Sequence, residues 1–134
     1  MAKSLFPQEM LSSGEMSLES IAAKLTYFHE QLHLLHWQTK SYAEHQALGG
    51  LYDYVHDFKD GVIEKLMGYT NKRVGVFKIE PLGAASADAV VSDLISFAAS
   101  LRKYAEANAY NDISNLADSL SGEAAKTKYL LTLS

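Results

Sequence analysis

Leu18, Ile21, Leu25, Phe28, Leu32 and Leu35 follow one another at alternating steps of three and four residues, a spacing that puts all six on one face of an α-helix. Ser17 stands immediately before them and is a good N-cap, so a first helix is expected from Ser17 to about Lys40. A second row, Leu48, Leu51, Tyr52, Val55, Phe58, Val62, Leu66 and Tyr69, keeps the same period over roughly seven turns. Gly49 and Gly50 lie inside it at a cost of about 1 kcal/mol each relative to Ala, and the helix is expected to start or bend there. Between Thr70 and Ala87 the period breaks at Gly75, Pro81 and Gly83. Ser86 or Asp88 then opens a third helix carried by Val91, Leu94, Ile95, Ala98, Leu101 and Ala105 to about Asn108. Asn111 or Asp112 caps a fourth, carried by Ile113, Leu116, Leu120, Ala124 and Leu131.

Two helical hairpins joined by one long connection is the connectivity of ferritin-like bundles. The expected fold is therefore all-α, a ferritin-like four-helix bundle whose long crossover links the second and third helices. Residues 1–16 show no sustained period and read as an N-terminal arm, leaving residues 17–134 as a single domain. A chain of 134 residues with 48% hydrophobic and 21% charged side chains has enough apolar material for one core and is poorly described as disordered. No run of eighteen apolar residues occurs. The first fifteen residues hold Lys3, Pro7, Gln8, Glu9, Ser12, Ser13 and Gly14 rather than a secretory core. A soluble cytoplasmic protein with no membrane contact is the expectation.

Chemistry is confined by what the chain lacks. It contains no Cys, so disulfides and thiolates are excluded and any metal must be held by His, Asp and Glu, which favours iron, manganese or zinc over copper(I) or iron–sulfur clusters. A formal charge of −4 argues against a surface built to attract phosphates. All five His, at 29, 33, 36, 45 and 56, fall in the first two helices. An intrasubunit di-iron site wants Glu-x-x-His from two helices and a carboxylate from each of the others, and the fourth helix has no His to offer. On a helical wheel His36 lies about 50° from the centre of the first apolar face. His45, His56, Asp60 and Glu64 form a stripe roughly 70° to 180° from the centre of the second. Asp60 and Glu64, four residues apart, share a side of the helix. A stripe that faces sideways suits a metal held between two subunits.

The stretch His36-Trp37-Gln38-Thr39-Lys40, then His45, Leu51-Tyr52-Asp53 and Asp60-Gly61-Val62-Ile63-Glu64-Lys65 resembles the His-Trp, His, Leu-Tyr-Asp and Asp-x-x-x-Glu motifs of the Dps proteins, the mini-ferritins. Asn111 to Asp118 and Tyr129-Leu130-Leu131 resemble that family's fourth helix and its hydrophobic end. Short ferritin-like proteins of tailed phages are a fainter likeness. The resemblance implies iron(II) oxidation, iron storage and detoxification at an intersubunit centre. His36 and His45 would be its imidazole ligands and Asp60 and Glu64 its anionic ones, with His33, twelve residues before His45, as the alternative ligand from the first helix. Trp37 and Tyr52 would stand nearby. It also implies a homo-oligomer, a dodecamer with a dimer as its minimum. The arm has Lys3 as its one basic residue, so the lysine-rich tail with which some mini-ferritins hold DNA is missing and DNA binding through the arm is not expected.

Two other readings compete. The bundle can be a non-catalytic oligomeric module with a degenerate metal site. Alternatively, His29-Glu30-Gln31-Leu32-His33 matches His-Glu-x-x-His, in which two His one turn apart hold zinc and the Glu activates water. The chain does not continue with the Gly and third His of the metzincin extension.

Overall fold

The computed structural model describes residues 16–133; the expected arm lies outside them, Met16 excepted. Four helices account for the regular structure of the described residues: α1 (Leu18–Gln38), α2 (Tyr42–Thr70), α3 (Ala87–Ala107) and α4 (Asn111–Leu131). No strand occurs among the described residues. The chain is an all-helical bundle in which α1 packs on α2, α3 on α4, α2 on α4, and α1 on α3.

Caps decide where the helices begin. The Ser17 hydroxyl accepts from the Ser20 amide while the Ser20 hydroxyl accepts from the Ser17 amide, a reciprocal capping box that satisfies two otherwise orphaned donors. Ser86 caps α3 by accepting from the Ala89 amide. α2 starts at Tyr42, ahead of the expected Leu48, because Ser41 accepts from the Glu44 amide. Its first turn is not buried, so apolar spacing carries no signal there. Gly49 and Gly50 are continuous helix. The α4 cap also departs from expectation: Tyr110 occupies it with no side-chain cap bond. Asp112, in the first turn, instead accepts from the Tyr69 hydroxyl and pairs with Lys65 Nζ at 3.5 Å.

All six apolar residues that announce α1 are buried, and Leu48, Leu51, Val55, Phe58, Val62 and Leu66 face them from α2. α3 adds Val91, Leu94, Phe97 and Leu101, and α4 adds Ile113, Leu120 and Ala124. Phe28 and Phe97 meet across the centre with ring centroids 5.8 Å apart. Truncating a buried aromatic of this kind costs about 3–5 kcal/mol.

Residues 71–86 connect α2 to α3 without regular structure. Two side chains of α1 hold this segment. Glu19 Oε2 accepts from the Gly75 amide at 2.8 Å. The fully buried Gln31 amide donates to the Gly83 carbonyl at 3.0 Å and accepts from the Gly83 N–H at 2.9 Å. Glu19 and Gln31 stand about 18 Å apart along α1 at 1.5 Å per residue, so the connection follows that helix. Val74 and Phe77 of this connection also reach α2, where they border one depression with Lys59, Asp60 and Ile63.

Candidate metal-binding face

Only three residues, 39–41, separate α1 from α2, so the two helices run antiparallel and side chains late on α1 meet those early on α2. His36 and His45 meet first. Their rings stack with centroids 3.6 Å apart and 19° between planes. His36 Nδ1 lies 2.7 Å from the His45 carbonyl, and His45 Nδ1 lies 2.8 Å from the His36 carbonyl. A carbonyl only accepts, so both rings carry their proton on Nδ1, which in the neutral imidazole leaves the lone pair on Nε2.

This arrangement explains Gly49. A Cβ there would sit 3.1 Å from His36 Cε1 and 3.3 Å from His36 Nδ1, tighter than ordinary packing allows. The glycine is the seat of the His36 ring.

The remaining three histidines continue the same edge toward the far end of the bundle. His33 is layered between Trp37, at 3.9 Å, and Tyr52, at 4.4 Å. His29 lies 5.9 Å from His33, 5.6 Å from Tyr52 and 5.3 Å from His56. His29 Nδ1 donates to Glu30 Oε1 at 2.8 Å, and His56 Nδ1 to Asp57 Oδ1 at 3.4 Å. Every histidine of the chain thus belongs to one continuous ring-to-ring series, and four of the five have Nδ1 committed to an acceptor. Glu30 is engaged on the Nδ1 side of His29, away from Nε2.

The expected ligands divide into two groups. His36 and His45 are together, with Tyr52 5.1 Å from His36. Asp60 and Glu64 lie further along α2, about 22 Å and 28 Å from His45 at 1.5 Å per residue. Both carboxylates are exposed, and among the described residues neither enters an ion pair. Asp60 borders an open depression of 210 Å³ with Ala22, Thr26, Ile63 and Phe77. Among the described residues of one chain, no three His, Asp or Glu side chains form a group able to hold a metal ion. Because the His36 and His45 rings lie face to face, an ion in the plane of one is out of the plane of the other. Joint ligation requires the stack to open.

Sequence reasoning found every histidine but missed their mutual contacts. Wheel positions within a single helix do not show which turn of α1 faces which turn of α2. The three-residue turn was the available signal, since it fixes that register.

No described helix is long and apolar enough to cross a membrane. No curated protein and no solved structure matches the chain. A family model does match, over residues 36–131, and what it describes is a family of unknown function, DUF5856, rather than Dps. The mini-ferritin resemblance is corrected by that match. A short His-Trp, His and Asp-x-x-x-Glu series on two helices is a local pattern, which chains outside that family can also carry. The matched region covers more than half of the sequence, and the protein belongs to the DUF5856 family.

Proposed function

We propose that this protein binds a first-row transition metal at a site completed by a second copy of the chain, and that iron(II) is its substrate, oxidised by dioxygen or peroxide. The observation that carries the reading is the gathering of all five imidazoles along one edge of the α1–α2 pair, four of them with Nδ1 committed to an acceptor. A hydrogen bond on the distal nitrogen fixes tautomer and ring orientation, as metal-ligating histidines require.

The same edge argues for a second copy. His36 and His45 lie toward one end, and Asp60 and Glu64, beyond the His56–Asp57 pair, toward the other. A two-fold axis crossing α2 near Asp53 sets His36 and His45 of each chain against Asp60 and Glu64 of its mate, because an isologous interface returns each contact twice. Imidazole meets carboxylate in both halves. The carboxylates favour the higher charge of Fe(III) and so draw the ion toward oxidation. In fold, we adopt the ferritin-like connectivity, with residues 71–86 as the crossover lying along α1.

Zinc hydrolysis is not adopted, because Glu30 is spent on orienting His29 rather than standing where a water-activating base would. A non-catalytic module has one observation in its favour, the closed His36–His45 stack, and it anticipates no metal-dependent reaction. Stopped-flow oxidation of Fe(II) separates the two. The wild type is expected to oxidise Fe(II) faster than buffer alone, and Asp60→Ala/Glu64→Ala to lose that acceleration with its helix content intact. Unchanged kinetics in the variant would reject the site.

A further inference from the structure

We infer that His29 and His56 form a separate chelate for a divalent cation of zinc character, linking α1 to α2 within one chain. Two imidazoles bound to one tetrahedral ion at 2.0–2.1 Å have ring centroids about 5 Å apart. The His29 and His56 centroids are 5.3 Å apart, with 50° between ring planes. The His36 and His45 rings, at 3.6 Å and nearly parallel, do not meet that geometry as they stand.

The outer contacts are those of a ligand pair. Glu30 Oε1 takes the His29 Nδ1–H at 2.8 Å, and Asp57 Oδ1 takes that of His56 at 3.4 Å, so each imidazole is backed by a carboxylate that sets its tautomer and leaves the Nε2 lone pair for a metal. His29 is mostly shielded, its side chain 14% exposed, whereas the His56 side chain is 63% exposed. The pair therefore combines a fixed ligand on α1 with an accessible one on α2. The His33 ring packs on Trp37 and Tyr52 and lies 5.9 Å from His29. Among the described residues no group of three such ligands is present, so the inferred chelate has two protein ligands. Water completes the shell, and imidazole with water suits Zn(II) or Co(II) better than a hard oxygen-seeking ion.

The inferred ligands are separate from His36, His45, Asp60 and Glu64 of the intersubunit iron site. Their role is tested in a His36→Ala/His45→Ala background, which removes that site's imidazoles. Isothermal titration with Zn(II) alone is expected to show one ion per chain. His29→Ala and His56→Ala are each expected to weaken binding at least tenfold, and Glu30→Gln by 10- to 100-fold through loss of the outer carboxylate. Circular dichroism reports whether each variant keeps its helices. Since His56 is exposed, His56→Ala folds even if His29→Ala does not. Zinc binding unchanged in His56→Ala, or absent from the parent at millimolar Zn(II), would overturn the inference. Loss of iron oxidation in other variants has no bearing on it.

Discussion

His36 and His45 clasp each other: each imidazole Nδ1–H donates to the other residue's carbonyl, at 2.7 and 2.8 Å, and the two rings stack at 3.6 Å. The clasp closes the α1–α2 hairpin at its turn. It also spends the nitrogen that a metal does not need. The contact thus ties the two helices at this end, and its stack must open before both rings can hold one ion.

Breaking half of the clasp should be felt in stability. His45→Ala removes one hydrogen bond outright and takes away the ring on which His36 stacks. A loss of about 1–2 kcal/mol is expected from denaturant unfolding, at the scale of one lost hydrogen bond and its stacking. A change below a few tenths of a kcal/mol would show that the clasp contributes nothing.

Gly49 and Gly50 should respond oppositely to the same substitution. Nothing lies within 4 Å of a Cβ at Gly50, whereas one at Gly49 meets the His36 ring. Gly50→Ala is expected to stabilise by about 0.5–1 kcal/mol through helix propensity. Gly49→Ala should gain much less or lose, and it should shift the His36 ring signals in an NMR spectrum. Equal stabilisation by both would deny Gly49 its role as the seat of that ring.

These glycines mark the limit of what the amino-acid order shows. The four apolar rows are local and periodic, so Leu18 to Leu35 on α1 and Leu48 to Leu66 on α2 announce their helices and their buried faces directly. A glycine inside such a row reads as a flaw until the ring opposite it is known. The same holds for Glu30, which in sequence resembles a catalytic base and in space orients its neighbour. Asp112 looks like a cap but accepts from Tyr69 across two helices. Each of these roles depends on contacts between elements, which a one-dimensional pattern does not record.

Alkaline pH should unfold the protein through Tyr27. Burial pushes its phenol from 10.0 up to about 12, with the charges of Asp93 and Glu80 adding to the effect. Below pH 10 both folded and unfolded chains keep the proton, and the contribution is constant. Between pH 10 and 12 the unfolded chain releases it first, so stability falls as pH rises. Tyr27→Phe is expected to flatten this limb of a stability–pH curve. The same slope in the variant would place its origin elsewhere.

The claim that a second copy completes the iron site is tested most directly by mixing two inactive variants. His36→Ala/His45→Ala lacks the imidazoles, and Asp60→Ala/Glu64→Ala lacks the carboxylates. Unfolding and refolding them together at equal concentration makes half of the two-fold dimers mixed, each with one intact site of two, so roughly a quarter of wild-type Fe(II) oxidation should return. Activity no higher in the mixture than in either variant alone would contradict the account.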